Sequence, residues 1–255
     1  MLLAIDIGNT DITLGVFEDE ELQATWHMAT SIHRMADEYA ALLLNLLQHR
    51  SLNTSDIKAA ALCSVVPPLI ATFQELSQHY FHITPLVVGA GIKTGVRIRM
   101  DNPREVGADR IVNAAAAHHI YGGPVIIADL GTATTFDTVS GEGDYIGGAI
   151  APGIGVAAES LFIRAAMLPR VELTRPAKVI GTSTNAAMQS GLIFGYVGLV
   201  EGIVARIQRE LGEKATVVAT GGYAELIAKE TEVIDKVNPD ITLIGLRLIY
   251  QMNEA

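Results

Sequence analysis

Apolar residues run through LLAI at residues 2–5, meet Asp6, and resume after Gly8, Asn9 and Thr10 with ITLGVF from Ile12. That pattern predicts a buried strand, a polar turn and a second strand rich in β-branched residues. The same plan returns in VIIADLGTATTFDTVS, where Asp129 and Gly131 hold the places of Asp6 and Gly8. Acid- and glycine-rich turns follow both, EDEE at 18–21 and GEGD at 141–144. Two such matches about half a chain apart predict a duplicated architecture, two similar lobes each opening on a β-hairpin.

The remaining pattern fills the lobes. MADEYAALLLNLLQHR (35–50) has helical spacing, with acidic residues early and His49 and Arg50 late, as the helix dipole favours. IKAAALCSVV is strand-like and stops at Pro67-Pro68; LIATFQELSQHYF (69–81) reads as a helix and TPLVVGA (84–90) as a buried strand. Helices are expected over GADRIVNAAAAHHIYG (107–122), VAAESLFIRAAM (156–167) and the long stretch 183–211. ATVVATGG (215–222) is a strand reaching a glycine turn, and YAELIAKE and ITLIGLRLIYQMNE are closing helices. Strands alternating with helices imply α/β layers. Gly191, Gly195, Gly198 and Gly202 punctuate the long helix, at a cost of about 1 kcal/mol each. A helix–helix contact within or between subunits would offset it. Without low-complexity tracts or a flexible linker, lobes at 1–117 and 118–255 are expected to pack around a cleft.

Composition narrows the function. The formal charge of −10 over 255 residues argues against a nucleic-acid surface, so an anionic substrate must be met by local groups. No uninterrupted apolar run reaches the roughly 18 residues of a membrane span. The N-terminus lacks the basic start of a signal peptide, and its apolar run breaks at Asp6. The single cysteine, Cys63, fits a reducing cytoplasm, and in AAALCSVV it reads as a small core residue. GAGIKTG (89–95) is not a P-loop, because Ile92 stands where glycine must precede Lys93.

Four glycine-bearing turns carry the chemistry: DIGNT (6–10), EVGADR (105–110), DLGTATT (129–135) and ATGG (219–222). Backbone N–H groups of such turns can cradle phosphate without lysine. Asp6 repels a phosphate unless hydrated Mg²⁺ bridges the two. Thr10, Thr132, Thr134 and Thr135 would add hydroxyl donors, and ATGG leaves room for a flat adenine. Taken alone, Asp109-Arg110 reads first as a helix-start carboxylate with a solvated partner, and second as a base beside a substrate-binding arginine. Together the turns favour an ATP cleft between two lobes.

The series IDIGNT, DNPREVGADR (101–110), DLGTATTFD, GGAIAPG (147–153), ELTRPA (172–177), GTST (181–184) and ATGG resembles the type III pantothenate kinase family, nearly end to end. That family lies within the acetate and sugar kinase, Hsp70 and actin superfamily. The resemblance implies two ribonuclease H-like (actin-like ATPase) lobes of α/β class, and ATP-dependent phosphorylation of pantothenate in coenzyme A synthesis. It implies an ATP and phosphate loop at Asp6, Ile7, Gly8, Asn9, Thr10, Asp11, Ile12 and Thr13, with a further ATP contact at Thr132. Gly107, Ala108, Asp109 and Arg110 match the pantothenate segment, with Asp109 as proton acceptor. Asp129 matches a monovalent cation ligand for K⁺ or NH₄⁺. Thr184 matches a substrate contact made across a homodimer interface. Met100 departs from the family, which often has Tyr there; a thioether cannot donate the phenolic hydrogen bond. The rivals are a kinase of another small alcohol and an ATP-binding regulator without activity.

Overall fold

A computed structural model describes residues 1–254. The expected first hairpin gains a third strand: β1 (Leu2–Ile7), β2 (Asp11–Glu18) and β3 (Glu21–Ala29) form an antiparallel meander. Helix α1 (Ala36–His49) leads to β4 (Ala59–Ser64), which pairs parallel to β1. Helix α2 (Pro67–Leu76) opens on two prolines, whose missing N–H groups cost nothing in a first turn. The expected helix to residue 81 changes at Ser77–Phe81 into a wider π turn, before β5 (Leu86–Val87). Strand β6 (Arg97–Ile98) and helix α3 (Ala108–Tyr121) follow.

The plan then repeats. Strands β7 (Val125–Leu130), β8 (Ala133–Val139) and β9 (Asp144–Pro152) form a second meander, followed by α4 (Ile154–Arg164) and α5 (Thr184–Leu211). Strand β10 (Thr216–Thr220) pairs parallel to β7, and α6 (Ala224–Ala228), β11 (Lys236–Val237) and α7 (Ile241–Glu254) complete the described chain. The first sheet runs β3-β2-β1-β4-β5 and the second β11-β10-β7-β8-β9-β6. Read from the other end, the second is the first with β6 added at its edge. That is the duplication the hairpins predict, in the ribonuclease H-like form that the family resemblance implies.

The compact units cut across the expected halves. The first comprises 1–96, 102–116 and the stretch from Ile241; the second comprises 97–101 and 117–240. Packing is the reason. Leu243, Leu246 and Ile249 of α7 share a core with Leu2, Ala4, Ala61 and Cys63, while β6 pairs with β9. Period-two alternation divides the first sheet. Leu3, Ile5 and Ile7 face Tyr39 and Leu43 of α1 and Phe73 of α2, and Leu2 and Ala4 face α3 and α7. In the second sheet Ile126, Ala128 and Leu130 pack with Ile193, Val197 and Val200 of α5. Helix α5 is long and apolar enough to cross a bilayer by length and composition, and its apolar side lies in this core.

Candidate functional site

In the first unit, Asp6 is the last residue but one of β1, on the face that carries Ala4. Its neighbours in register are Thr13 on β2 and Cys63 on β4. The Cys63 thiol donates to Asp6 Oδ1 at 3.2 Å. Burial pushes this thiol well above its ordinary pKa, and the negative charges of Asp6 and Asp109 act the same way. Cys63 is wholly buried, so its reading as a core residue is borne out, but it also touches the site.

The turn after Asp6 is held shut. Gly8 N donates to Asp11 O at 3.0 Å, Thr30 N to Thr10 O at 3.0 Å, and the Thr30 hydroxyl to Gly8 O at 2.7 Å. Asn9, Thr10 and Asp11 are exposed, whereas Ile7 and Ile12 are wholly buried in the core against α1 and α2. The last two therefore have only backbone to offer a phosphate.

The DNPREVGADR segment divides between structural and chemical tasks. Asn102 accepts from Arg104 N and donates to Glu105 Oε1 at 2.7 Å, building a single 3₁₀ turn over Pro103–Glu105. Gly107, Ala108, Asp109 and Arg110, all half-buried, then open α3. Asp109 curls back so that Oδ1 accepts from Arg110 N at 2.8 Å. A Cβ at residue 107 would lie 2.5 Å from that oxygen, so glycine there makes the pose of Asp109 attainable.

The second unit holds the other set. Asp129 is the last residue but one of β7, with Thr135 and Thr220 as its neighbours in register. Gly221 has φ of +89°, and a Cβ there would lie 2.6 Å from Asp129 Oδ1; one at Gly131 would lie 3.4 Å away. Two glycines thus leave room beside the carboxylate. Gly222 has nothing within 4 Å of where its Cβ would be. Thr132 is exposed at the turn, with its carbonyl accepting from Gly153 N at 3.1 Å. Thr134, expected to add a hydroxyl, is buried on the core side of β8; Thr135 donates to the buried Asp137, which also accepts from Tyr145 at 2.6 Å. The Thr134 hydroxyl is thus buried, and the Thr135 hydroxyl is engaged within its own strand.

Strand β6 is fastened by charge. Arg97 and Arg99 bond the two oxygens of Asp144 at 2.6 and 2.9 Å. The hydrogen bond from Arg99, with that from Arg97, holds the Asp144 carboxyl below its usual range. Met100 follows, its sulfur 3.3 Å from where a Gly147 Cβ would stand. Thr184 is the exposed first residue of α5, just after Ser183, whose hydroxyl caps the helix. Among the described residues no group of three or more His, Cys, Asp or Glu is arranged to hold a metal. Thr30, Gly153 and the Cys63 contact escaped the sequence reading, because each acts through a strand end or register far away in the chain.

A family model described as type III pantothenate kinase matches residues 2–206. A type III pantothenate kinase from Dehalococcoides mccartyi (strain CBDB1) is 61% identical over 100% of this chain and 97% of its own. One from Moorella thermoacetica is 53% identical over 99% of this chain and all of its own. In structure, a ROK hexokinase from Thermus thermophilus superposes with a TM-score of 0.51 at 15% identity, covering 99% of both chains, a likeness of fold alone.

Proposed function

The chain belongs to the type III pantothenate kinase family, whose reaction is ATP-dependent phosphorylation of pantothenate in coenzyme A synthesis, and from that premise we propose which residues perform it. Phosphoryl transfer asks for alignment and charge stabilisation more than covalent help. Asp109 is the general base, taking the proton of the substrate alcohol as the new P–O bond forms. Arg110 pairs with the substrate carboxylate, a contact its planar fork suits. Gly107 and Ala108 bring the backbone close. The observation that carries this reading is that Asp6 and Asp109 both bear on one buried residue, Cys63, at the same end of the first sheet.

Asp6 through Thr13 receive the phosphates, with Ile7 and Ile12 contributing backbone only. Kinases of this kind work with a divalent metal, and Mg²⁺ fits a single carboxylate at a strand end, since it keeps waters and shares its shell with phosphates. Bound there, it would neutralise phosphate charge. Asp129 holds K⁺ or NH₄⁺, in keeping with the space that Gly131 and Gly221 leave at its oxygen. Thr132 contacts ATP, and the open backbone at Gly222 suits the adenine.

The enzyme works in the cytoplasm as a homodimer in which Thr184 reaches the substrate of the partner. Support comes from α5, where Gly191, Gly195 and Gly198 are exposed with nothing within 4 Å, so no contact inside the chain explains them. Phe162, Ile163, Met167, Val179 and Ile180 of the same unit are exposed apolar residues. A coupled ATP-consumption assay over pantothenate, acetate, sugars and glycerol, run in Mg²⁺ with and without K⁺, tests the substrate and ion assignments. Mixing Asp109→Asn and Thr184→Ala chains tests the dimer. Recovery of activity after verified subunit exchange supports a shared pocket, and none argues that each chain builds its own.

A further inference from the structure

We propose that Cys63 is a positioning residue for Asp6, its thiol fixing the rotamer in which that carboxylate meets a nucleotide-bound divalent cation. This rests on the role of Asp6 given above. Cys63 stands directly across from Asp6 in the parallel β1–β4 register, so both side chains leave the sheet on one face. Ala4 and Ala61, which precede them on that face, are methyl groups and offer a carboxylate no bond. The sulfur, 3.2 Å from Oδ1, supplies one. A carboxylate has about four lone-pair positions, and the thiol bond uses one of them.

The second sheet places a residue able to donate at the equivalent position. Across from Asp129 in the parallel β7–β10 register stands Thr220, also buried. Each sheet therefore sets a short side chain able to donate beside the aspartate near the end of its central strand.

The test measures binding of a non-hydrolysable ATP analogue by calorimetry at graded Mg²⁺ concentrations, with thermal melting of each protein. The proteins are the wild type, Cys63→Val, Cys63→Ser, Asp6→Asn and the Asp6→Asn/Cys63→Val double variant. Valine keeps the space filled and donates nothing. Cys63→Val should weaken Mg²⁺-dependent affinity by about 3–10-fold, the net worth of one such hydrogen bond. Cys63→Ser should recover most of the loss. The double variant should bind no more weakly than Asp6→Asn, because the effect runs through one carboxylate. Equal losses in both backgrounds, or a Cys63→Val protein with wild-type affinity beside a weak Asp6→Asn, overturn the role of Cys63. If Asp6→Asn itself binds like the wild type, the reading of Asp6 fails and takes the proposal with it. Should Cys63→Val fail to fold, Cys63→Ala takes its place in the same cycle and is read by the same criteria.

Discussion

At the first hairpin Ile7 pairs with Ile12 and residues 8 to 11 cross between the strands; at the second, Leu130 pairs with Thr134 and residues 131 to 133 suffice. Both turns are closed from the end of the third strand by the same backbone bond, Thr30 N to Thr10 O and Gly153 N to Thr132 O. The closing residues differ. Thr30 adds a hydroxyl bond to Gly8 O, whereas any Cβ at Gly153 would overlap the carbonyl oxygens of Gly131 and Thr132. The longer turn is held by a side chain that can be exchanged, the shorter by a backbone approach that admits none. A duplicated fold can thus keep one geometry while placing its tolerance to mutation unequally.

The largest effect should separate the two units by task. Asp109→Asn should cut turnover about 10²–10⁴-fold at saturating substrates. Directly measured pantothenate binding should change much less, since the proton moves only on the way to the transition state. Asp129→Asn should instead raise the K⁺ concentration needed for half-maximal rate. If Asp109→Asn keeps near-normal turnover and binds substrate poorly, it is a binding residue and the base lies elsewhere.

Next come the two closures. Gly153→Ala should cost about 1–3 kcal/mol, typical of overpacking, because both opposing atoms are backbone and cannot swing aside. Thr30→Val should cost only about 0.5–1.5 kcal/mol, one net hydrogen bond, and Thr30→Ser should restore most of it. Urea midpoints at constant slope give both numbers. A Gly153→Ala protein no less stable than Thr30→Val would erase the contrast between the hairpins.

The smallest effect concerns β6, the strand that the second sheet has and the first lacks. Asp144 is held below its usual pKa, so its pairing adds stability above the ordinary carboxylate value of about 3.9. That contribution is lost as pH falls through the lower folded value. Asp144→Asn should therefore melt slightly below the wild type at neutral pH, with the gap closing in acid. A gap that is constant with pH would show that the arginines do not act through the charge of Asp144.

The features legible in the sequence were those with a local signature. Asp-aliphatic-Gly after an apolar run marked both hairpins, and helical spacing gave α1, α3, α5 and α7. The third strands were not legible. β9 contains Gly147, at φ of +121°, and Gly148, pressed on the Phe136 backbone, which are poor strand signals that only the neighbouring strand explains. Thr132 and Thr134 look alike in the sequence, yet one is exposed and the other core, because Thr132 stands in the turn before β8 begins at Ala133 and Thr134 lies inside the strand. Nor does chain order reveal that 97–101 joins the second unit and α7 the first.

That last arrangement has a consequence for synthesis. One face of β1 and β4 is covered partly by Leu243, Leu246 and Ile249, which leave the ribosome after the whole of the second sheet. At the ~5–20 residues per second of translation, the first sheet waits on the order of ten seconds between α3 and α7. Through that interval Leu2, Ala4 and Ala61 lack part of their apolar cover, while the whole of the second sheet is already available to fold. The first sheet is therefore expected to mature after the second, and the nascent chain is most in need of a chaperone just before α7 emerges.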